Sequence, residues 1–88
     1  MSGVVIYTGH LCGYCSQAKK LLKSKNIDFE EINIHDQYEK KEEMIKLSGG
    51  KMSVPQIFCH GKHLGGCDDL FSMENTGELD KVLNKKID

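Results

Sequence analysis

Two cysteines, Cys12 and Cys15, stand between a predicted strand and a predicted helix, and they constrain the fold of this chain more than any other feature. The preceding residues 4–7 are β-branched and aromatic, which predicts a buried strand. Residues 16–25 place apolar side chains at helical spacing among lysines, which predicts a helix. Both cysteines therefore lie near a helix N-terminus, where free backbone N–H groups and the helix dipole favour an anion such as a thiolate.

This Cys-x-x-Cys pair predicts a redox-active dithiol, because Cys15 follows Cys12 by about one helical turn and can form a disulfide with it. A zinc site is an alternative, but it would need a second pair at similarly short spacing. Cys59 and Cys67 are eight residues apart and are separated from the first pair by predicted regular structure. Buried structural cysteines are a further alternative, although a glycine and a tyrosine between the first two cysteines argue against inert burial.

The composition indicates a small globular protein without a basic surface for nucleic acid. The 88 residues suffice for one modest core, so a single domain over residues 1–88 is expected. The formal net charge is −1 and all 12 cationic side chains are lysine, which gives nucleic-acid binding little support. The first strand follows the N-terminus directly and no apolar run reaches a membrane span, so neither a signal peptide nor membrane binding is predicted. A reducing cytoplasm is the expected location.

The middle of the chain predicts a second strand and a second helix. Residues 27–34 alternate between apolar and charged side chains, and they complete a strand–helix–strand unit whose strands should be parallel. A helix is predicted at about residues 37–48, with Tyr38, Met44 and Ile45 on its inward side.

The last third predicts a hairpin followed by two helices. Residues 57–59 and 62–65 are strands joined by a turn, and Pro55, the only proline, suggests a fixed turn before the first of them. A helix with an acidic first turn begins at Cys67 and ends at residues 75–77. Its predicted inward side chains are Leu70, Phe71 and Met73. Apolar residues at helical spacing predict the final helix: Leu79, Val82, Leu83 and Ile87.

The resulting order β-α-β-α-β-β-α-α predicts an α/β fold, a four-stranded mixed sheet with helices on both faces. Three segments, residues 12–15, 53–58 and 64–70, occur in an order and spacing that together resemble a small bacterial glutaredoxin, and the likeness covers nearly the whole chain. The resemblance implies a thioredoxin-like fold, a cis Val54–Pro55 bond and glutathione-dependent thiol–disulfide oxidoreductase activity. It also implies Cys12 as the nucleophile and Cys15 as the resolving thiol.

The resemblance further implies a glutathione site. Val54, next to Pro55, is expected to pair its backbone with the cysteinyl segment of glutathione. The N–H groups of Cys67 and Asp68 are expected to bind the γ-glutamyl carboxylate, and the Asp68 side chain the ammonium group. Other residues expected at the site are Tyr14, Lys41, Ser53 and Gly66. Lys41 would meet the glycyl carboxylate or, alternatively, be a solvated helix lysine, and Asp69 is more typical of a helix start than of a ligand.

Two departures from the family pattern leave alternatives open. Gly9 stands where glutaredoxins usually have a lysine, and His10 or Lys51 would have to replace that cation. Gly13 stands where proline is most common, and the relatives that lack this proline tend to hold a [2Fe–2S] cluster between two protomers with glutathione. Cys59 is expected to pack in a strand, whereas Cys67, at the expected glutathione site, could oxidise.

The main prediction is thus a monomeric dithiol enzyme whose partners are glutathione and disulfide-containing or glutathionylated proteins. The alternatives are a cluster carrier, in which two copies of the chain share a glutathione-bridged [2Fe–2S] cluster, and a redoxin reduced directly by a flavin reductase.

Overall fold

A computed structural model describes residues 3–84 of the chain. The strands are β1 (Val4–Thr8), β2 (Glu30–Asn33), β3 (Gln56–Cys59) and β4 (Lys62–Gly65). The helices are α1 (Gly13–Ser24), α2 (Lys40–Leu47), α3 (Cys67–Thr76) and α4 (Glu78–Asn84). This order confirms the predicted sequence of elements.

The four strands form one mixed sheet in the order β2-β1-β3-β4. β1 and β2 are parallel, as the strand–helix–strand unit predicted, while β3 is antiparallel to both β1 and β4. A turn at His60 and Gly61, both at positive φ, joins β3 to β4. The end of β1, which leads to the cysteine pair, therefore lies beside the start of β3, which follows the proline.

Successive side chains of the central strands point to opposite faces of the sheet and form two hydrophobic clusters. On one face, Ile6 and Ile57 pack with residues of α1, α3 and α4, among them Leu22. On the other face, Tyr7 and Phe58 pack with Met44 of α2 and with two isoleucines at and after β2. Helices therefore cover both faces, as predicted, and the larger cluster supports the helices that begin at the two cysteine-bearing loops.

The second strand is shorter than predicted, because only part of residues 27–34 finds a partner. β2 pairs with Val5–Thr8 of β1 from Glu30 onward. The backbone N–H of Ile27 instead donates to the carbonyl of Leu22 at 3.0 Å, which keeps this residue attached to the end of α1. Residues 27–29 thus pack on the core as a connection and not as a strand.

The second helix begins later than predicted, and Tyr38 is not on its inward side. The side chain of Asn33 accepts the N–H of His35 at 2.9 Å, and its carbonyl accepts the N–H of Gln37 at 2.8 Å. These bonds form a turn that delays the helix to Lys40 and leaves Tyr38 75% exposed. The other two predicted inward residues do pack against the sheet.

The last two helices agree with the predicted pattern except at one position. Leu70 and Leu79 are fully buried, but Phe71, one residue around the helix from Leu70, remains 36% exposed. Ile87, the last residue of the predicted amphipathic pattern, lies outside the described residues. Among residues 3–84, no helix is both long enough and apolar enough to cross a membrane.

Candidate active site

Cys12 is the N-cap of α1. Its backbone is extended, with φ −108° and ψ 105°, and its Sγ accepts the backbone N–H of Cys15 at 3.2 Å. An N-cap side chain satisfies one of the donors that a helix leaves free, and an anionic sulfur does so best. Cys12 is half-buried, so its sulfur is held by the helix and still reachable from solvent.

Cys15 occupies a different environment, one helical turn further on. Its side chain is buried, with 2% of its surface exposed. Burial is the main cause that raises the pKa of the Cys15 thiol to about 12, followed by its hydrogen bond with Cys12 and by the charge of Cys12. The backbone N–H of Gly9 and the Lys19 ammonium lower the pKa but do not cancel this effect. Cys15 is therefore protonated at neutral pH. All four cysteines are free thiols.

The loop before β3 faces the cysteine pair. The Val54–Pro55 peptide bond is cis, which confirms the prediction for this bond. The Cys12 Sγ lies 3.8 Å from the carbonyl oxygen of Val54. Gln56, the first residue of β3, stabilises this loop from the interior and is only 3% exposed. Its side-chain amide donates to the Ser53 carbonyl at 3.0 Å and to the Ser53 hydroxyl at 3.3 Å. The loop thus offers backbone groups close to the sulfur.

The start of α3 forms the opposite wall. Gly66 is the N-cap, and its backbone N–H donates to the Asp69 carboxylate at 3.0 Å. Asp69 also closes over Gly65, where φ is +116° and any Cβ would collide with that carboxylate, so only glycine fits. Asp69 is thus a helix-start acid, while the neighbouring Asp68 is exposed. Burial, followed by the charges of Asp68 and Cys12, raises the pKa of the Cys67 thiol.

A cleft of about 340 Å³ lies between these two walls. It brings together all but one of the residues predicted to bind substrate: Tyr14, Ser53, Val54, Pro55, Gly66, Cys67 and Asp68. The exception is Lys41, which lines a separate hollow beside α2 with Tyr38, Glu42 and Met52. Its role as a ligand for the glycyl carboxylate remains a prediction that this placement does not support.

The cation that the family usually carries at position 9 has two candidate substitutes. Lys51 lines the cleft. His10 does not: its Nε2 lies 2.8 Å from a carboxylate oxygen of Asp36, on the side of β2. A Cβ at position 9 would lie 2.8 Å from the His35 ring, so Gly9 is the residue that this ring allows. Lys51 is therefore the better placed of the two cations.

Gln56 and His63 also line the cleft, and sequence reasoning predicted a role at the site for neither of them. The Gln56 carbonyl and His63 Nε2 are 2.7 Å apart. Because the Gln56 amide nitrogen must donate to Ser53, its oxygen faces the imidazole, and His63 Nε2 is the donor. A polar residue directly after Pro55, within an otherwise apolar strand, was the available signal for Gln56. No signal pointed to His63.

Comparisons with known proteins agree with this geometry. A family model described as Glutaredoxin matches residues 4–64. Glutaredoxin 1 of Rickettsia prowazekii (strain Madrid E) is 53% identical over 81 residues, covering 91% of this chain and 85% of the relative.

The chain belongs to the glutaredoxin family.

Two solved structures place this glutaredoxin in the thioredoxin-like fold and confirm the predicted fold class. The solution structure of glutaredoxin from Brucella melitensis has a TM-score of 0.80 and 42% identity, covering 100% of this chain and 96% of that one. The buckwheat glutaredoxin–glutathione complex has a TM-score of 0.85 and 29% identity, covering 94% of this chain and 77% of that one. This glutaredoxin is an oxidoreductase by family. Its Cys12 sulfur lies 3.8 Å from the carbonyl oxygen of Val54, a residue that lines the cleft.

Proposed function

We propose that this glutaredoxin reduces protein disulfides and glutathione mixed disulfides, with Cys12 as nucleophile, Cys15 as resolving thiol and glutathione as reductant. The difference between the two cysteines carries the proposal. Cys12 is half-exposed and its sulfur accepts a backbone N–H, while Cys15 is buried and protonated. A thiolate attacks and a thiol does not, so the accessible Cys12 is the proposed nucleophile of the first step.

In the first step, the Cys12 thiolate attacks one sulfur of a substrate disulfide. The substrate S–S bond breaks, a new S–S bond joins Cys12 to that sulfur, and the other substrate sulfur leaves as a thiolate that takes a proton from water. The Val54 carbonyl beside the Cys12 sulfur supports an extended approach of the substrate backbone along the loop before β3.

In the second step, the Cys15 thiol loses its proton and attacks the Cys12 sulfur, which forms the Cys12–Cys15 disulfide and releases the second substrate thiolate. The hydrogen bond with Cys12 and the Cys12 charge both raise the Cys15 pKa in the reduced protein. Bonding to substrate removes the negative charge of Cys12. Burial is then the only remaining cause that raises the Cys15 pKa, and the Gly9 N–H and Lys19 continue to lower it. The Cys15 thiol therefore ionises more readily in the mixed disulfide than in the reduced protein.

Two glutathione molecules complete the cycle. The thiolate of the first attacks the internal disulfide and leaves glutathione bonded to Cys12. The thiolate of the second attacks this mixed disulfide, releases oxidised glutathione and regenerates the dithiol, so two electrons pass from glutathione to substrate. The cleft supports this role because it offers a partner for each polar part of glutathione. The Val54 backbone suits the peptide backbone of glutathione, the N-terminus of α3 suits a carboxylate, and the exposed Asp68 carboxylate suits the ammonium group.

The test compares Cys12→Ser, Cys15→Ser and Cys59→Ser on two substrates, a glutathionylated peptide and a protein with one internal disulfide. Cys12→Ser should lose both activities, because a serine hydroxyl is not ionised at neutral pH. Cys15→Ser should keep deglutathionylation and lose most reduction of the internal disulfide. Cys59 is a matched control: it is buried in β3, away from the cleft, and its replacement should leave both activities in place. Loss of both activities in Cys15→Ser contradicts the assignment of roles.

The cluster carrier and the flavin-reduced redoxin remain alternative predictions. Within residues 3–84, no group of three or more histidine, cysteine or acidic side chains is arranged to hold a metal ion. Cys12 alone would have to ligate, so a [2Fe–2S] cluster would require thiolates from a second copy of the chain and from glutathione. The enzyme hypothesis does not require a second copy of the chain. The proposed function is that of a monomeric enzyme, one glutaredoxin domain over residues 1–88, acting in a reducing cytoplasm.

A further inference from the structure

Leu11, the residue directly before Cys12, combines a solvent-exposed apolar side chain with a strained backbone conformation. Its side chain is fully exposed, with a relative accessibility of 106%. Its φ is +52°, in the left-handed region that disfavours a branched residue and suits glycine or asparagine. Leu11 is also outside the cleft described above. A conformation this unfavourable for leucine needs support from the surrounding structure.

That support comes from the segment before it. The backbone N–H of His10 donates to His35 Nδ1 at 2.7 Å, and the His10 side chain pairs with Asp36 at 2.8 Å. Two consecutive residues after β2 thus hold both the backbone and the side chain of His10. Gly9 allows the close contact with the His35 ring. We refer to His10, His35 and Asp36 as the loop clamp.

The geometry of a disulfide bond between Cys12 and a protein substrate determines which part of the substrate lies near Leu11. When Cys12 is bonded to a protein substrate, the Cα atoms of the two bonded cysteines lie about 4.4–6.8 Å apart. Consecutive Cα atoms are about 3.8 Å apart, so the residues flanking the substrate cysteine come within roughly 14 Å of the Leu11 Cα, and closer in most orientations. Two facing side chains span much of that distance. Leu11 is therefore within reach of the polypeptide next to the substrate cysteine in a mixed disulfide that approaches from its side.

We propose that Leu11 is a specificity-determining residue that favours protein disulfides whose reacting cysteine is flanked by an apolar residue, and that the loop clamp positions it. This inference rests on the proposed dithiol function. Contact between two apolar side chains removes surface from water on both, which strengthens binding of that substrate. Glutathione offers no such contact, because its cysteine is flanked by a γ-glutamyl group and a glycine. Leu11 should therefore not affect the reduction of glutathione mixed disulfides.

The test uses two synthetic peptides that each carry one internal disulfide and differ only in the residue after the first cysteine, leucine or serine. The wild type should reduce the leucine peptide with a kcat/KM about fivefold higher, the factor expected when roughly half of one leucine side chain is buried on contact. Leu11→Asn keeps the branched shape and the number of heavy atoms, tolerates the left-handed backbone and removes the apolar surface. It should lower this ratio to about one, whereas Leu11→Met should keep most of it.

Two further measurements separate the possible outcomes. Reduction of bis(2-hydroxyethyl) disulfide with glutathione should be the same in all three proteins, since this small substrate does not reach Leu11. His35→Ala should lower the peptide ratio, and His35→Asn, whose side-chain oxygen can accept the His10 N–H, should restore it. A wild type that reduces both peptides equally, or a Leu11→Asn variant that keeps the ratio, overturns the inference and leaves the proposed function intact. Failure of the wild type to reduce either peptide overturns the dithiol function itself.

Discussion

The buried amide of Gln56 is the support on which the substrate-facing loop depends, so its removal should affect both stability and glutathione use. Gln56→Ala removes the donor to the Ser53 carbonyl and hydroxyl and the acceptor for His63. Each such hydrogen bond contributes about 1 kcal/mol, and buried partners left unpaired cost more, so the variant should lose about 2–4 kcal/mol of unfolding free energy. For a chain of this size, that corresponds to a fall in Tm of roughly 10–25 °C.

A matched variant separates the hydrogen bonds from the packing. Gln56→Met has a similar shape but no polar atoms able to replace the amide, so it keeps the packing and loses the hydrogen bonds. It should still lose about 2–3 kcal/mol, because the Ser53 carbonyl and the His63 donor remain unpaired. Urea unfolding followed by circular dichroism measures both values, and a Gln56/His63 double-mutant cycle isolates their coupling.

The same variants should raise the KM for glutathione several-fold while kcat changes less, because Val54 loses its fixed position but the cysteine pair is untouched. A steady-state assay at saturating disulfide gives both constants. If Gln56→Met unfolds at the wild-type urea concentration and uses glutathione with the wild-type KM, then the amide supports neither the fold nor the loop, and the reasoning is refuted.

Three other predictions concern the cleft, the cysteine loop and the edge of the sheet. Asp68→Ala should raise the KM for glutathione about tenfold through loss of a charge-assisted contact, with Tm unchanged; an unchanged KM would favour the flavin-reduced redoxin. Gly13→Pro should fold normally, since a Cβ at Gly13 would have no described atom within 4 Å apart from its chain neighbours and the backbone of its own helix. The variant should lower the amount of any [2Fe–2S] cluster that forms on anaerobic reconstitution, and a colourless, monomeric wild type would exclude the carrier. The hydrogen bond from Thr8, followed by Lys19, holds the Glu31 pKa below its ordinary value of 4.5, so this group stabilises the fold above that pH and the effect is lost as the pH falls through the lowered pKa. Thr8→Val should therefore reduce the urea midpoint more at pH 7 than at pH 3, and an equal loss at both values would show that the Glu31 contact is not the cause.

The local pattern was enough to predict the elements that create the cysteine site. The β-branched and aromatic run of residues 4–7 and the helical spacing after residue 16 predicted the cysteine pair at a helix start, and the structure confirms this with Cys12 as N-cap. These signals are local, since a strand or a helix is specified by residues within one or two turns of each other. The same holds for the hairpin and for Asp69 as a helix-start acid.

The sequence was less informative wherever a residue's environment depends on another part of the chain. Tyr38 fits a helical stripe, yet the Asn33 turn places it before the helix and in solvent. Lys41 lies next to the acidic run that suggested a ligand, but α2 carries it to a separate hollow. Neither outcome can be predicted from spacing, because both depend on where a loop ends and a helix begins.

The sequence alone therefore determined the order of the elements, the position of the cysteine pair and most members of the cleft. Only the tertiary structure revealed the different environments of the two cysteines, since burial raises the Cys15 pKa while Cys12 stays partly exposed. It likewise revealed the Gln56–His63 support and the contact between Cys12 and Val54, whose residues are 42 positions apart. The physical reason is that charge, protonation and hydrogen bonding depend on distance in space, which the packing of the sheet and helices sets and local sequence does not.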